Sequence, residues 1–249
     1  MGRRPPGQGV AVTTATTTHG GYLAVPVPTS DRPGPWPGVV LVHDAFGPGD
    51  DMHEQADWLA AAGYVVLMPD LYAGRSAVRC LKGTFAQLSQ RHGPAFDQLE
   101  AARAALAQDP RCTGRVGVIG YCMGGGFALL LAGRPGWSAA GVNYGQVPDD
   151  VADVLAGACP VVASFGGKDT SLPGAAAKVQ AAADAAGIAA DVHEYPQARH
   201  GFLNRLAAAS PLTPLMKVAG VGYDHDAAAD AKRRILAFFD THLRAPDRA

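Results

Sequence analysis

Cys122 stands in Gly120-Tyr121-Cys122-Met123-Gly124, between a short apolar strand (Arg115–Ile119) and an apolar helix (Gly125–Ala132). A Gly-x-nucleophile-x-Gly turn forces its central residue into a strained conformation. It presents that side chain at a helix N-terminus, where free N–H groups and the helix dipole favour a thiolate. The flanking glycines fit because a Cβ would meet the neighbouring strand and helix. The plainer alternative is a buried Cys at a Gly-rich helix start, since free cysteines are among the most buried residues. Two further residues bear on the choice. Asp169 follows the apolar run Pro160–Phe165, in Gly166-Gly167-Lys168-Asp169-Thr170. His200 follows the run Ala190–Tyr195, in Ala198-Arg199-His200-Gly201-Phe202. Alone, Asp169 reads equally well as a turn or helix cap and His200 as a surface histidine. His193 is the weaker imidazole because it lies inside its strand.

Together the three residues run nucleophile, acid, base, which is the chain order of the α/β-hydrolase fold. Each sits just past a strand, where open α/β sheets place their function. The chemistry is acyl transfer: His200 accepts the Cys122 proton, and Asp169 fixes and stabilises the imidazole. A fourth loop, His43-Asp44-Ala45-Phe46-Gly47, follows another apolar run. It offers the Ala45 N–H, beside the Met123 N–H, as an oxyanion hole. Asp44 is a candidate modulating carboxylate: an anion near Cys122 would hold the thiol protonated until substrate displaces it. Equally, it could cap a local turn.

The elements that must position these residues alternate. Val10–Thr17 reads as an edge strand and His19-Gly20-Gly21 as a turn, with Tyr22–Val25 pairing back antiparallel. Residues 1–8 read as a ragged terminus and Pro33–Pro37 as a rigid loop. Gly38–His43 and Tyr64–Met68 are apolar runs of strands covered on both faces. Helices are expected over Asp51–Ala62, capped by Gly63, over Pro94–Gln108 with Phe96, Leu99, Ala102 and Leu106 inward, over Asp150–Ala156, and over Ala175–Ala186 before Gly187. Ala139–Asn143 adds a strand. Ala227–Leu243 closes the chain as a helix with Ala231, Ile235, Phe238 and His242 on its buried stripe. Leu71–Gly93 has weak periodicity and reads as an irregular segment over the active-site end. Strand–helix alternation implies a mostly parallel central sheet with helices on both faces and an antiparallel N-terminal edge. The whole chain, 1–249, reads as one such domain.

The 249 residues suffice for a large core, and 48% hydrophobic with 17% charged residues is a globular balance. A net charge of −1 leaves no footprint for nucleic acid or an anionic membrane. The four cysteines (Cys80, Cys112, Cys122 and Cys159) form no C-x-x-C pair, so neither a zinc site nor a disulfide framework is indicated. No signal peptide or membrane span is evident. The expectation is a cytoplasmic protein with a small-molecule partner, without metal or cofactor, and a monomer or small homo-oligomer.

The chain resembles the bacterial dienelactone hydrolases, or carboxymethylenebutenolidases. The resemblance is carried by Gly120–Gly125, Pro69-Asp70-Leu71-Tyr72, Gly167-Lys168-Asp169 and His200-Gly201-Phe202. It implies a single-domain cytosolic hydrolase with a Cys122–His200–Asp169 triad and no cofactor. Two departures stand out. The family has a Glu, in a Gln-Glu pair, at the place of Asp44, and here His43-Asp44 is one methylene shorter. The family also holds its substrate carboxylate with arginines, for which Arg75, Arg79 and Arg205 are the candidates. Phe46, Tyr72, Tyr144 and Phe202 are candidate pocket walls.

A small lactone or ester is therefore the expected substrate, cleaved through a thioester. Glutamine amidotransferases also place a Cys on an elbow, but with the acid after the His. A redox or ligand-binding protein using Cys122 as a sensor without turnover is the alternative of another class. It needs only a reactive thiol, and Asp169 and His200 argue against it.

Overall fold

The computed structural model describes residues 12–16, 21–205 and 221–244, and among them one eight-stranded sheet organises the chain. An antiparallel edge comes first, with β1 (Val12–Thr16) paired to β2 (Tyr22–Pro26) and β2 to β4 (Val65–Met68). The remaining strands are parallel: β3 (Trp36–Val42), β4, β5 (Cys112–Tyr121), β6 (Ala140–Asn143), β7 (Val161–Gly166) and β8 (Ala190–Tyr195). The spatial order is β1-β2-β4-β3-β5-β6-β7-β8. The mostly parallel α/β sheet expected from the sequence is thus the observed one. The ends of the expected first strand, the His19-Gly20 turn and residues 1–8 lie outside the described residues.

Period-two alternation divides each central strand between two cores. In β3, Val40 and Val42 face one side and Val39 and Leu41 the other. The first side is covered by α3 (Pro94–Gln108), α4 (Met123–Ala132), the short α5 (Val151–Leu155) and α6 (Ala175–Ala186), through residues such as Leu99, Phe127, Leu155 and Val179. The second is covered by α1 (Asp50–Ala61) and α7 (His225–Leu243), through Leu59, Ile235 and Phe239. The expected inward row of α3 is buried as read, and Gly187 ends α6 in the left-handed conformation.

Three readings need correction. Leu71–Gly93 is not irregular throughout, because α2 (Ala77–Gln90) occupies most of it. Only Thr84 and Leu88 of that helix are fully buried, so its inward face is too narrow to show as periodicity. Trp36 and Pro37 belong to β3 rather than to a loop; Trp36 is buried, and its N–H donates to the Arg111 carbonyl. In α7 the buried row is Ala231, Ile235, Phe239 and Leu243. Phe238 and His242 lie one position off it, half-buried, and stack on each other at 4.3 Å.

The strand order fixes where function can sit. From β3 the chain moves through α1 to β4 on one side, then crosses back through α2 and α3 to β5 on the other. The loops after β3 and β5 therefore diverge and leave a crevice at the carboxyl ends of the two strands.

Candidate active site

Cys122 occupies that crevice. It follows β5 and caps α4 with φ 54° and ψ −117°, a conformation costly for a residue with a side chain. Its neighbours make the turn sterically possible. A Cβ on Gly120 would lie 1.9 Å from the Gly124 carbonyl oxygen, and one on Gly124 would lie 2.2 Å from the Val42 carbonyl oxygen. Both contacts are with backbone, which cannot swing aside, so only glycine fits. The Cys122 N–H is held by the Asn143 carbonyl at 3.0 Å. The thiol residue is partly exposed rather than sealed in the core.

His200 and Asp169 converge on the same point. The His200 Nδ1 lies 2.6 Å from Asp169 Oδ2, and the Cys122 side chain also acts on the ring. Asp169 comes from the loop after β7 and is buried. It accepts in addition from the Ser171 N–H at 3.0 Å and from the Ser171 hydroxyl. Burial alone would raise its pKa, but the bonds from His200 and Ser171 outweigh burial and hold it below the usual carboxylate range. For His200 burial would lower the pKa, yet its interactions with Asp169 and Cys122 push it up to about 10. The His200 loop is pinned from a distance: Gln55 of α1 donates to the Leu203 carbonyl at 2.9 Å. Tyr144, itself at φ 40°, packs edge-on against the His200 ring with the ring centroids 5.2 Å apart.

The loop after β3 is fastened to the elbow. The Tyr72 hydroxyl donates to the Ala45 carbonyl at 2.9 Å and lies 4.0 Å from Met123 Sδ, so Ala45 and Met123 border one space. His43, fully buried, accepts the Leu71 N–H on Nε2 at 3.1 Å, and its Nδ1 meets the Asp44 carbonyl at 2.7 Å. Burial lowers its pKa, consistent with a neutral ring that accepts on one nitrogen and donates from the other. This imidazole ties the β3 loop to the β4 loop.

Asp44 Oδ1 accepts the Phe46 N–H at 2.8 Å, which is the turn-capping role, and its Oδ2 accepts from Asn204 at 3.1 Å. The Asn204 carbonyl oxygen in turn accepts from the Tyr144 hydroxyl at 3.3 Å. Burial pushes the Asp44 carboxyl up to about 6, against the pull of Phe46, His200 and Asn204. In the unfolded chain such a group titrates near 3.9. Above pH 6 it is ionised in both states, and the folded state bears the full penalty, about 3 kcal/mol. Below about pH 4 it is protonated in both states and the penalty vanishes. Asp44→Asn is therefore expected to raise the unfolding free energy at pH 8 by up to about 3 kcal/mol, a gain that fades as the pH falls from 6 to 4. Urea titrations at pH 8, 6 and 4.5 check this. A gain that does not vary with pH would trace to repacking instead of charge.

The other expected contacts divide. Tyr72 and Tyr144 are buried within the site, and Phe46 is 73% exposed beside it. Phe202 is fully buried behind His200, against Tyr144 and Tyr195. Arg75 is exposed and donates to the Tyr72 carbonyl at 3.2 Å, while Arg79 is exposed on the first turn of α2. Arg205 is exposed, donates to the Tyr223 hydroxyl at 3.2 Å and lies over that ring. His193 packs against Tyr195 within β8 and takes no part. Asn204, His43, Ser171 and Gln55 were not expected in these positions. Their partners are remote in sequence or lie in turns, and no periodicity marks them.

A mostly parallel sheet with an acid, an imidazole and an elbow residue at its carboxyl ends, in that arrangement, defines an α/β-hydrolase fold. The chain belongs to the dienelactone hydrolase family, whose model matches residues 20–243. It is 29% identical over 215 residues to a carboxymethylenebutenolidase of Pseudomonas putida, covering 82% of this chain and 85% of that one. Among solved structures, a dienelactone hydrolase of Anabaena variabilis superposes with a TM-score of 0.61 at 21% identity, covering 96% of this chain and 100% of that one. A dienelactone hydrolase-like promiscuous phosphotriesterase from metagenomic libraries superposes with a TM-score of 0.71 at 22% identity, covering 95% and 100%. These two likenesses concern the fold. Among the described residues, no helix is long and apolar enough to cross a membrane.

Proposed function

We propose that this protein hydrolyses a small lactone or ester through a Cys122–His200–Asp169 triad and a thioester intermediate. The observation that carries the reading is the His200 ring bonded to Asp169 at 2.6 Å, together with the strained elbow residue Cys122, whose side chain acts on that ring. An imidazole that holds a proton this firmly can take the thiol proton and keep it while the sulfur attacks. The thiolate adds to the substrate carbonyl. The carbonyl oxygen then bears the charge and is met by the N–H groups of Ala45 and Met123. Met123 opens α4, where the first N–H groups have no intrahelical acceptor. Collapse breaks the C–O bond, and His200 returns its proton to the departing oxygen. Water then adds to the thioester, giving up a proton to His200. The C–S bond breaks, the acid leaves and the thiol is restored.

Asp169 supports this cycle by fixing the imidazole orientation and stabilising its charged form. The β3 loop matters because Tyr72 links it to the elbow and His43 ties it to the β4 loop. The family membership and the relatives named carboxymethylenebutenolidase favour a lactone or ester as substrate. The protein would act as one domain, and in the cytoplasm, where a free thiol stays reduced.

The test is pre-steady-state hydrolysis of 4-nitrophenyl acetate. A burst of one 4-nitrophenol per active site, with acetate on Cys122 by mass spectrometry and steady turnover afterwards, is expected. A burst without turnover would point to a thiol that reacts but does not catalyse, as in a sensor. Acetate on another cysteine would remove the assignment.

A further inference from the structure

We infer that the site takes an uncharged acyl group, and that Asn204 and Asp44 together set this preference. The inference rests on the hydrolase reading and narrows its substrate class. The wall beside the elbow is built from Asp44, Asn204 and Tyr144, which are joined by hydrogen bonds, and the Tyr144 ring packs edge-on against the His200 ring. Its only formal charge is the Asp44 carboxylate. Asp44 acts electrostatically on His200, on the Tyr72 hydroxyl and on the Tyr144 hydroxyl, and Cys122 acts on the same two tyrosines. The carboxylate and the thiol therefore both lie near those two tyrosines.

The groups that hydrogen-bond to Asp44 are neutral. Its two oxygens are met by a backbone N–H and by the Asn204 amide, and among the described residues no arginine or lysine hydrogen-bonds to it. Two of the arginines near the site loops have partners elsewhere. Arg75 is turned to the Tyr72 carbonyl and Arg205 to Tyr223, both at the exposed surface. A second carboxylate brought in by a substrate would meet Asp44 with no arginine or lysine hydrogen-bonded to it among the described residues, and like charges at a buried site repel. An ester or lactone without a formal charge meets no such barrier, and Asn204 can offer it the same amide dipole that it offers Asp44. The amide is the specificity-determining group because it satisfies the carboxylate without neutralising it.

Two esters of equal length separate the possibilities: methyl 4-nitrophenyl adipate, which is neutral, and 4-nitrophenyl hydrogen adipate, which is anionic at pH 8. The wild type is expected to prefer the neutral ester by at least tenfold in kcat/KM after subtraction of spontaneous hydrolysis. Asp44→Asn, which removes the charge with little change of volume, is expected to shrink that ratio at least threefold. Asn204→Lys, which places a cation against Asp44, is expected to shrink it further, whatever each variant does to the absolute rates. Should Asn204→Lys fail to fold, Asp44→Asn alone decides. Equal or faster turnover of the anionic ester by the wild type would overturn the inference, as would a ratio unmoved by Asp44→Asn. Those results leave the hydrolase reading standing. Failure of folded wild type to turn over either ester, or turnover that survives Cys122→Ala, overturns the hydrolase reading itself and the inference with it.

Discussion

Cys122→Ala is expected to lower kcat/KM for an activated ester by roughly 10⁴-fold or more, with the circular dichroism spectrum and the urea midpoint unchanged. The large effect follows from the mechanism proposed above. Without sulfur no thioester forms, and the remaining machinery acts on a carbonyl that has no covalent partner. The unchanged fold follows from the location. Alanine loses only the sulfur of a partly exposed side chain, and the strained backbone at φ 54° is enforced by the glycines around it. The matching labelling experiment uses iodoacetamide. Cys122 should react ahead of Cys112 and Cys159, whose thiols burial pushes up, to about 12 in the case of Cys159. Activity that survives complete alkylation at Cys122 would remove it from the chemistry.

The second large effect is one of non-additivity. His200→Gln keeps an N–H donor available for Asp169, whose side chain is 2% exposed and would otherwise be left a buried, unpaired charge. It should still cost about as much in kcat as Cys122→Ala, because no imidazole remains to take the thiol proton. The double variant should be no worse than either single one. Were the two losses independent, each near 10⁴-fold, they would multiply to about 10⁸, or roughly 11 kcal/mol of barrier. Kinetics of the two single variants and the double variant distinguish these outcomes. A multiplied loss would show that Cys122 and His200 serve separate steps.

The parts of this molecule that were legible in the sequence share a cause. Cys122 and Asp169 sit just past strands whose apolar runs are continuous, His200 follows the more polar strand β8, and the glycines around them mark places where backbone approaches backbone. Local patterns of that kind survive in one dimension. The narrow inward face of α2 does not, and neither does the one-position shift between Phe238 and Phe239 along α7. Least visible were the contacts that assemble the wall beside the thiol. Asp44 and Asn204 are 160 residues apart, and Gln55 and Leu203 are 148 apart. Such pairs are made by the sheet bringing distant loops to one end, and no spacing rule anticipates them. The surroundings of the candidate arginines were hidden for a related reason. Their positions in the chain are near the site loops, but Arg75 and Arg205 find partners at the surface.

The elbow has a consequence for how such enzymes diverge. The cost of the turn at residue 122 falls on φ and ψ and on the glycines at 120 and 124, and none of those contacts involves the sulfur. The scaffold is therefore indifferent to which small nucleophilic side chain it displays. A single codon change from Cys to Ser would leave the strand, the turn and the helix as they are, and would alter only the proton affinity and softness of the attacking atom. Lineages built on this frame can trade a thiol for a hydroxyl, and with it one range of ester reactivity for another, without passing through an unfolded ancestor.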